Sequence, residues 1–285
     1  MGKNKCKRAV EVVVISDVHL GTYGCHAKEL LVYLKSINPE KVILNGDIID
    51  IWQFKKYYWP KSHMKIVKHF IKWITDGVEI YYITGNHDEM LRKFVNFKIN
   101  SFTIVNKVVL KLDSKKAWFF HGDVFDVTMQ HSKWLTRMGA IGYDFLILLN
   151  GVINKLSKLL GKKKISLSKR IKDSVKGAVK YINNFELTAA EIAIENKYDF
   201  VVCGHIHQPK IKIYNSKKGT VTYLNSGDWI ENLTTLEYNK SKWSIYKYNE
   251  DDYTEILDEK TDLIEKSNKE LFEELVAEIN MNYIR

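Results

Sequence analysis

Residues 10–21 read VEVVVISDVHLG. The first seven residues are dominated by β-branched side chains. Such a run reads as a strand buried in a sheet. Polar chemistry begins where the apolar run stops, at Asp17 and His19. A strand that delivers a carboxylate and an imidazole at its carboxyl end sets the question for the rest of the chain.

The same rhythm continues downstream. AKELLVYLKSI (27–37) has helical periodicity, and KVILNGD (41–47) is a strand ending in a Gly-Asp turn. SHMKIVKHFIKWITDG (62–77) reads as an amphipathic helix stopped by glycine. VEIYYITGNHD (78–88) is again a strand running into a turn. A βαβαβ order argues an α/β fold with parallel strands, whose sites lie beyond the strands' carboxyl ends. Short strands follow over 102–120. Residues 126–196 carry no strand pattern and read as helices. After 198 the strands return, beginning with YDFVVCGH and ending with KWSIYKYN. Residues 262–281 read as a closing amphipathic helix. The expected organisation is a core of 1–124 and 199–260, a helical insertion over 125–198, and a C-terminal helix over 261–285.

Five strand ends share one chemistry. They are ISDVHLG (Asp17, His19), LNGDIID (Asp47, Asp50), ITGNHDE (Asn86, His87, Asp88), FFHGD (His121) and VCGHIHQP (His205, His207). Singly, each has a bland reading: a Gly-Asp pair is commonly a turn, and a histidine after a strand is commonly a structural hydrogen-bonder. Five in one chain, all at strand ends, point to one site. Imidazole, carboxylate and carboxamide without thiolate suit Mn²⁺, Fe²⁺ or Zn²⁺. Asp17, His19, Asp47, Asn86, His121, His205 and His207 make seven such groups, more than one four-coordinate zinc needs. Two ions sharing a carboxylate would use them all, and paired ions are a recurrent device for in-line attack at phosphorus. Alternation along an extended chain would aim His205 and His207 to the same side.

In order and spacing, DVH, GDIID, GNHD, HGD and GHIH resemble the calcineurin-like metallophosphoesterase superfamily across residues 17–207. The resemblance implies a four-layer sandwich of two mixed β-sheets flanked by helices. It implies Asp17, His19 and His207 as ligands of one metal, Asn86, His121 and His205 as ligands of a second, and Asp47 as the bridge. His87 resembles the histidine that faces phosphate, with Asp50 as its carboxylate partner; Asn86 would also face the substrate. Mn²⁺ is the first expectation for both ions. GDIIDIWQF (46–54), NSGDWIENLT (225–234) and GHIHQP resemble, more narrowly, the UDP-2,3-diacylglucosamine pyrophosphatases of lipid A biosynthesis. That family uses a helical cap to hold acyl chains, and the resemblance implies a nucleotide-linked lipid as substrate. Asp123, Asn225 and Asp228 are then candidates for substrate contact or support. Two departures stand out. Those pyrophosphatases carry Arg where this chain has His87, and their cap motifs do not align with 125–198. Alternatives are a phosphodiesterase or phosphomonoesterase of soluble substrates, and a membrane-binding module without catalysis.

Composition bounds the partners. The 285 residues are 45% hydrophobic and 27% charged, ordinary for a globular protein, with a formal net charge of +10. Between 155 and 180, ten Lys and Arg face only Asp173. Just before them lies IGYDFLILLNGVI (141–153), too short and too closely flanked by charge to span a bilayer. Apolar residues followed by lysines suit the surface of an anionic membrane. The plain alternative is a core-packed helix with a solvated basic face. Few aromatics interleave the lysines, which disfavours nucleic acid. Trp52, Tyr57, Tyr58 and Trp59 form an aromatic cluster read as loop packing or a wall for a ligand. Three cysteines without CxxC spacing, and no convincing signal peptide, place the protein in the cytoplasm, with peripheral contact at the inner membrane face.

Overall fold

A computed structural model describes residues 7–51, 59–128 and 167–249, with side chains from 177 onward in the last stretch. The chain divides into two compact units, Met1–Gly122 with Ile192–Arg285, and Asp123–Glu191. Residues 141–153, most of the basic stretch, Trp52, Tyr57, Tyr58 and the expected helix of 261–285 lie outside the described residues.

The first unit holds two mixed sheets. The first strand, β1 (Arg8–Ile15), pairs in parallel with β2 (Ile37–Asn45), and β2 with β3 (Glu79–Ile83). Beyond β3 come β4 (Lys98–Ile99) and β5 (Phe102–Val105), and β5 continues the parallel set. The second sheet contains β6 (Lys107–Leu112), β7 (Lys115–Phe120), β8 (Phe200–Cys203), β9 (Lys210–Ser216) and β10 (Gly219–Asn225). The chain then returns to the first sheet as β11 (Thr234–Asn239) and β12 (Lys242–Lys247). The orders are β12-β11-β1-β2-β3-β5-β4 and β6-β7-β8-β10-β9. Strands β7, β8 and β10 are mutually parallel. The sequence marks all these strands except the two-residue β4, whose pattern is too short to register.

The unbroken apolar runs follow from burial on both faces. Alternate residues of one strand serve two cores. Val13 and Ile15 join α1 (Ala27–Ser36) and α2 (Lys61–Thr75) through Leu30, Tyr33, Leu34, Ile66, Phe70 and Trp73. Val12 and Val14 face the other sheet, among Phe119, Phe200, Val202 and Leu224. Trp59 packs against the first core, edge-on to the His63 ring at 5.7 Å. Glu237 on β11 takes the two terminal Arg8 guanidinium nitrogens at 2.9 and 2.8 Å and the Tyr33 hydroxyl at 2.9 Å.

In the second unit, α3 (Val124–Thr128) meets the long helix α4 (Leu167–Glu195), whose last turn belongs to the first unit. The Tyr181 hydroxyl donates to Asp126 at 2.6 Å, and the Phe125 and Phe185 rings meet edge-on at 5.4 Å. Among the described residues, no helix is long and apolar enough to cross a membrane.

Phe119 is fully buried between the sheets. Phe119→Ala is expected to cost about 3–5 kcal/mol, read as a lower denaturant midpoint with an unchanged slope.

Candidate metal centre

Six strand ends converge on one edge of the first unit. Strands β1, β2 and β3 lead to Asp17, Asp47 and Asn86; β7 and β8 lead to His121 and His205; β10 leads to Asp228. Hydrogen bonds stitch the two sheets together there. The His121 Nδ1 lies 2.9 Å from the Asn45 carbonyl at the end of β2. The His205 N–H donates to Asp17 Oδ2 at 3.0 Å, and the Ser16 and Ser226 hydroxyls meet at 2.6 Å.

Three groups of ligand-type atoms result among the described residues, one of them His19, Asp50 and His87. Of the other two, one is Asp17, His19 and His207, and the second is Asp47, His121 and His205. They adjoin through Asp47, whose Oδ2 lies 3.2 Å from His121 Nε2 and 4.0 Å from His19 Nε2. The other oxygen of Asp47 accepts the His87 N–H at 2.8 Å, fixing the Asn86–His87 loop beside them. The set suits divalent cations. The carbonyl of Asn45 can only accept, so His121 carries its proton on Nδ1 and points the Nε2 lone pair toward Asp47. The Nδ1 of His19 is held by Asp50 at 3.2 Å. Its Nε2 is buried with no hydrogen-bond partner, as is Asn86 Oδ1. Orphaned buried acceptors are costly and rare, and a cation is the partner that both lack.

Asp50 holds two imidazoles. Its Oδ2 lies 2.9 Å from His87 Nδ1 as well as 3.2 Å from His19 Nδ1. The pairing with His87 follows the sequence reading; the second link, to His19, had no sequence signal.

The electrostatics are dominated by carboxylates. Burial pushes the Asp17 carboxyl up, but the His207 imidazole 3.1 Å away outweighs it and brings the pKa to about 2. Burial favours neutral His207, and Asp17 reverses this, raising its pKa to about 9. Burial opposes ionisation of Asp47 too, and His121, His19 and His87 pull it far below the carboxylate range. Burial lowers the pKa of His87, but the Asp50 hydrogen bond and the charge of Asp47 carry it above the ordinary imidazole value.

The backbone corrects one expectation. Strand β8 stops at Cys203, so His205 and His207 are not alternate residues of an extended chain. Both adopt the left-handed region, with φ of 67° and 50°, as do Asp17, His19 and Asp47 at 52°, 52° and 53°. A tight turn, not the period of a strand, aims the two imidazoles. Asp and His tolerate this region better than most residues, and such strain clusters at functional sites. Glycine supplies the clearance. A Cβ on Gly204 would stand 2.6 Å from Asp17 Oδ2, and one on Gly85 would overlap the Asp47 carboxylate and amide.

Asn225, the last residue of β10, and Asp228 beyond it are engaged by backbone groups. Asn225 is fully buried, donating to the Gly204 carbonyl at 2.8 Å and accepting the Gly227 N–H at 2.9 Å. Asp228 is fully buried and takes the N–H groups of Ile230 and Glu231 at 2.8 and 2.5 Å. Both brace backbone beside the centre. Asp123 belongs to the second unit, where its carbonyl accepts the Asp126 N–H at 3.0 Å. Sequence reasoning counted Asp88 among the strand-end residues but missed its role. Its carboxylate, fully buried, accepts from Ile48 N–H at 3.0 Å, Tyr82 hydroxyl at 2.6 Å and Gly85 N–H at 2.6 Å. It ties the loop after β2 to the loop after β3. It also missed His63, whose Nδ1 accepts the Gly21 N–H at 2.9 Å behind the Asp17–His19 turn.

Residues 10–209 match the calcineurin-like phosphoesterase model. The chain belongs to this family. It is a metal-dependent phosphoester hydrolase, and the family implies a dinuclear centre of divalent ions. This calcineurin-like phosphoesterase is 26% identical over 255 residues to the UDP-2,3-diacylglucosamine hydrolase of Blochmanniella pennsylvanica, covering 83% of this chain and 95% of that one. It is 24% identical over 254 residues to the hydrolase of the same name from Aliivibrio fischeri, covering 83% and 98%.

Asp88→Ala would strand two buried N–H groups and a hydroxyl. The expected loss is about 3 kcal/mol or more, measured by denaturant unfolding. The His63 pKa is depressed by burial to about 4, below its unfolded value near 6.5. Its contribution is complete above pH 6.5 and lost as pH falls toward 4. His63→Asn should flatten unfolding stability across that window relative to the parent chain.

Proposed function

We propose that the protein hydrolyses the pyrophosphate of UDP-2,3-diacylglucosamine, releasing UMP and 1-phospho-diacylglucosamine. The observation that carries the hydrolytic reading is the meeting of two His/Asp groups at Asp47, with His87 beside it. The substrate follows from the hydrolases of that name that align along most of the chain. In this reading Asp17, His19 and His207 hold one ion, Asn86, His121 and His205 the other, and Asp47 both. Mn²⁺ fits this donor set, with Fe²⁺ and Zn²⁺ as competitors. A bound pair of divalent ions supplies Lewis acidity at phosphorus and acidifies water.

The chain's own residues do the rest. Asp50 orients the imidazoles of His19 and His87 together, so ligand placement and phosphate contact share one anchor. His87, favoured in its charged form, offers positive charge to the phosphoryl oxygens as they gain negative charge. It also stands ready to protonate the leaving oxygen. One P–O bond forms from water, the bridging P–O bond breaks, and the leaving phosphate takes a proton. In this reading the insertion of 125–198 is the cap for the acyl chains, and Asp123 is a substrate contact. Its lysines meet an anionic membrane from the cytoplasmic side.

A second reading has one observation in its favour. His87 stands where those pyrophosphatases carry Arg, which suits a phosphodiesterase of soluble substrates. Incubating the Mn²⁺-loaded protein with UDP-2,3-diacylglucosamine and assaying UMP separates the two. UMP release is expected. Turnover of a chromogenic phosphodiester without UMP release would favour the second reading, and no turnover of either would sink both.

Asp47→Ala should abolish binding of the ion pair in calorimetric titration. His87→Ala should bind metal as the parent does and lose about 10²–10⁴ in kcat; full retained rate would remove His87 from the mechanism. Because His207 holds its proton until about pH 9, metal uptake at neutral pH should release protons. The observed binding enthalpy should then vary with the ionisation enthalpy of the buffer.

A further inference from the structure

The stretch EMLRKFVNFKI, residues 89–99, follows directly on the loop of Asn86 and His87. It begins as a 3-10 helix over Glu89–Phe94, turns, and ends in the edge strand β4. Its composition is unusual for a surface. Met90, Phe94, Phe97 and Ile99 are 55%, 56%, 50% and 37% exposed. Single exposed apolar side chains are normal, but four within ten residues need a reason.

The Phe97 N–H donates to the Phe94 carbonyl at 2.9 Å, closing a tight turn between the two residues. Phe97 directly precedes β4, which ends in Ile99. The segment is anchored from behind. Leu91 packs against the core of the first sheet, and Arg92 donates to the Gly85 carbonyl at 3.4 Å. The Phe97 carbonyl accepts the Ile104 N–H at 3.0 Å, and the Asn96 N–H donates to the Ile104 carbonyl at 2.8 Å. The exposed rings therefore stand on a held backbone.

Charge identifies what covers them. Arg92, Lys93 and Lys98 are exposed among the apolar residues, and Glu89 is the only acid between 89 and 99. Lysine is depleted at protein–protein interfaces. At a bilayer surface the same mixture is favourable: apolar side chains enter the headgroup boundary, while lysine stems lie along it with their charges in water. We propose that residues 89–99 form an interfacial anchor that seats this protein on an anionic bilayer. The anchor belongs to the phosphoesterase core, apart from the insertion of 125–198, and does not depend on the substrate assigned above. It would place the loop of Asn86 and His87 next to the lipid headgroups.

Cosedimentation of the full chain with phosphatidylethanolamine vesicles, with and without phosphatidylglycerol, tests this. Phe94→Ser/Phe97→Ser should lower partitioning onto the phosphatidylglycerol vesicles on the order of tenfold. Lys93→Glu/Lys98→Glu should lower it by a similar factor there, with the difference lost at high salt. All four side chains are exposed, so unfolding midpoints should match the parent chain. Vesicle binding unchanged in both variants would overturn the proposal, as would a parent chain that binds neither vesicle. So would a parent dimer that the phenylalanine variant dissociates while vesicle binding stays the same; the patch would then join two copies. Hydrolysis of a soluble chromogenic phosphodiester reads the catalytic assignment separately. Its absence in the parent chain would count against the proposed function and leave the vesicle result standing.

Discussion

The centre depends on where the Asp47 carboxylate sits. It is almost fully buried at the end of β2, and both of its oxygens are committed. One holds the loop after β3 through the His87 N–H, and the other faces His121 from the second sheet. A buried carboxylate is tolerated only among positive or hydrogen-donating partners. Here those partners come from three strand ends in two sheets, so satisfying this charge and closing the sandwich at that edge are one event.

The geometry around it is held against backbone preference. Asp17, His19, Asp47, His205 and His207 all sit in the left-handed region, where most residues pay about 1–3 kcal/mol. The strands beneath them are buried on both faces, and that packing fixes where each turn begins. Gly85 and Gly204 let neighbouring chains approach the carboxylates more closely than any Cβ would allow. Asp88 and Asn225 then lock the loops from behind. The stability of the sheets is spent on holding ligand-type atoms close together before any cation binds.

This arrangement ties the proposed chemistry to its surroundings. Asp50 joins a residue assigned to a metal, His19, to the residue assigned to phosphate, His87, so a change at either is felt by both. The loop bearing His87 runs straight into the exposed apolar and basic stretch of 89–99. Seated on a bilayer as proposed, that stretch would bring His87 close to the headgroups through continuity of chain from His87 to Phe97.

The strands, their order in the chain and the polar residues at their ends were legible in the sequence. Apolar periodicity reports burial directly, and Asp, Asn and His stand out where an apolar run stops. The family was legible for the same reason: DVH, GDIID, GNHD, HGD and GHIH are local patterns. What the sequence could not carry was anything made by backbone atoms or by distant pairs. The Asn45 carbonyl that sets the His121 tautomer has no side-chain signature. Asp88 looks like any turn aspartate until Ile48 and Tyr82 are placed beside it. The period of a strand suggested that His205 and His207 point together by alternation, yet the strand ends before them and left-handed turns do the aiming. Local sequence determined which atoms are present at the edge. Only the packing of two sheets decided which of them meet, because those contacts join residues far apart in the chain.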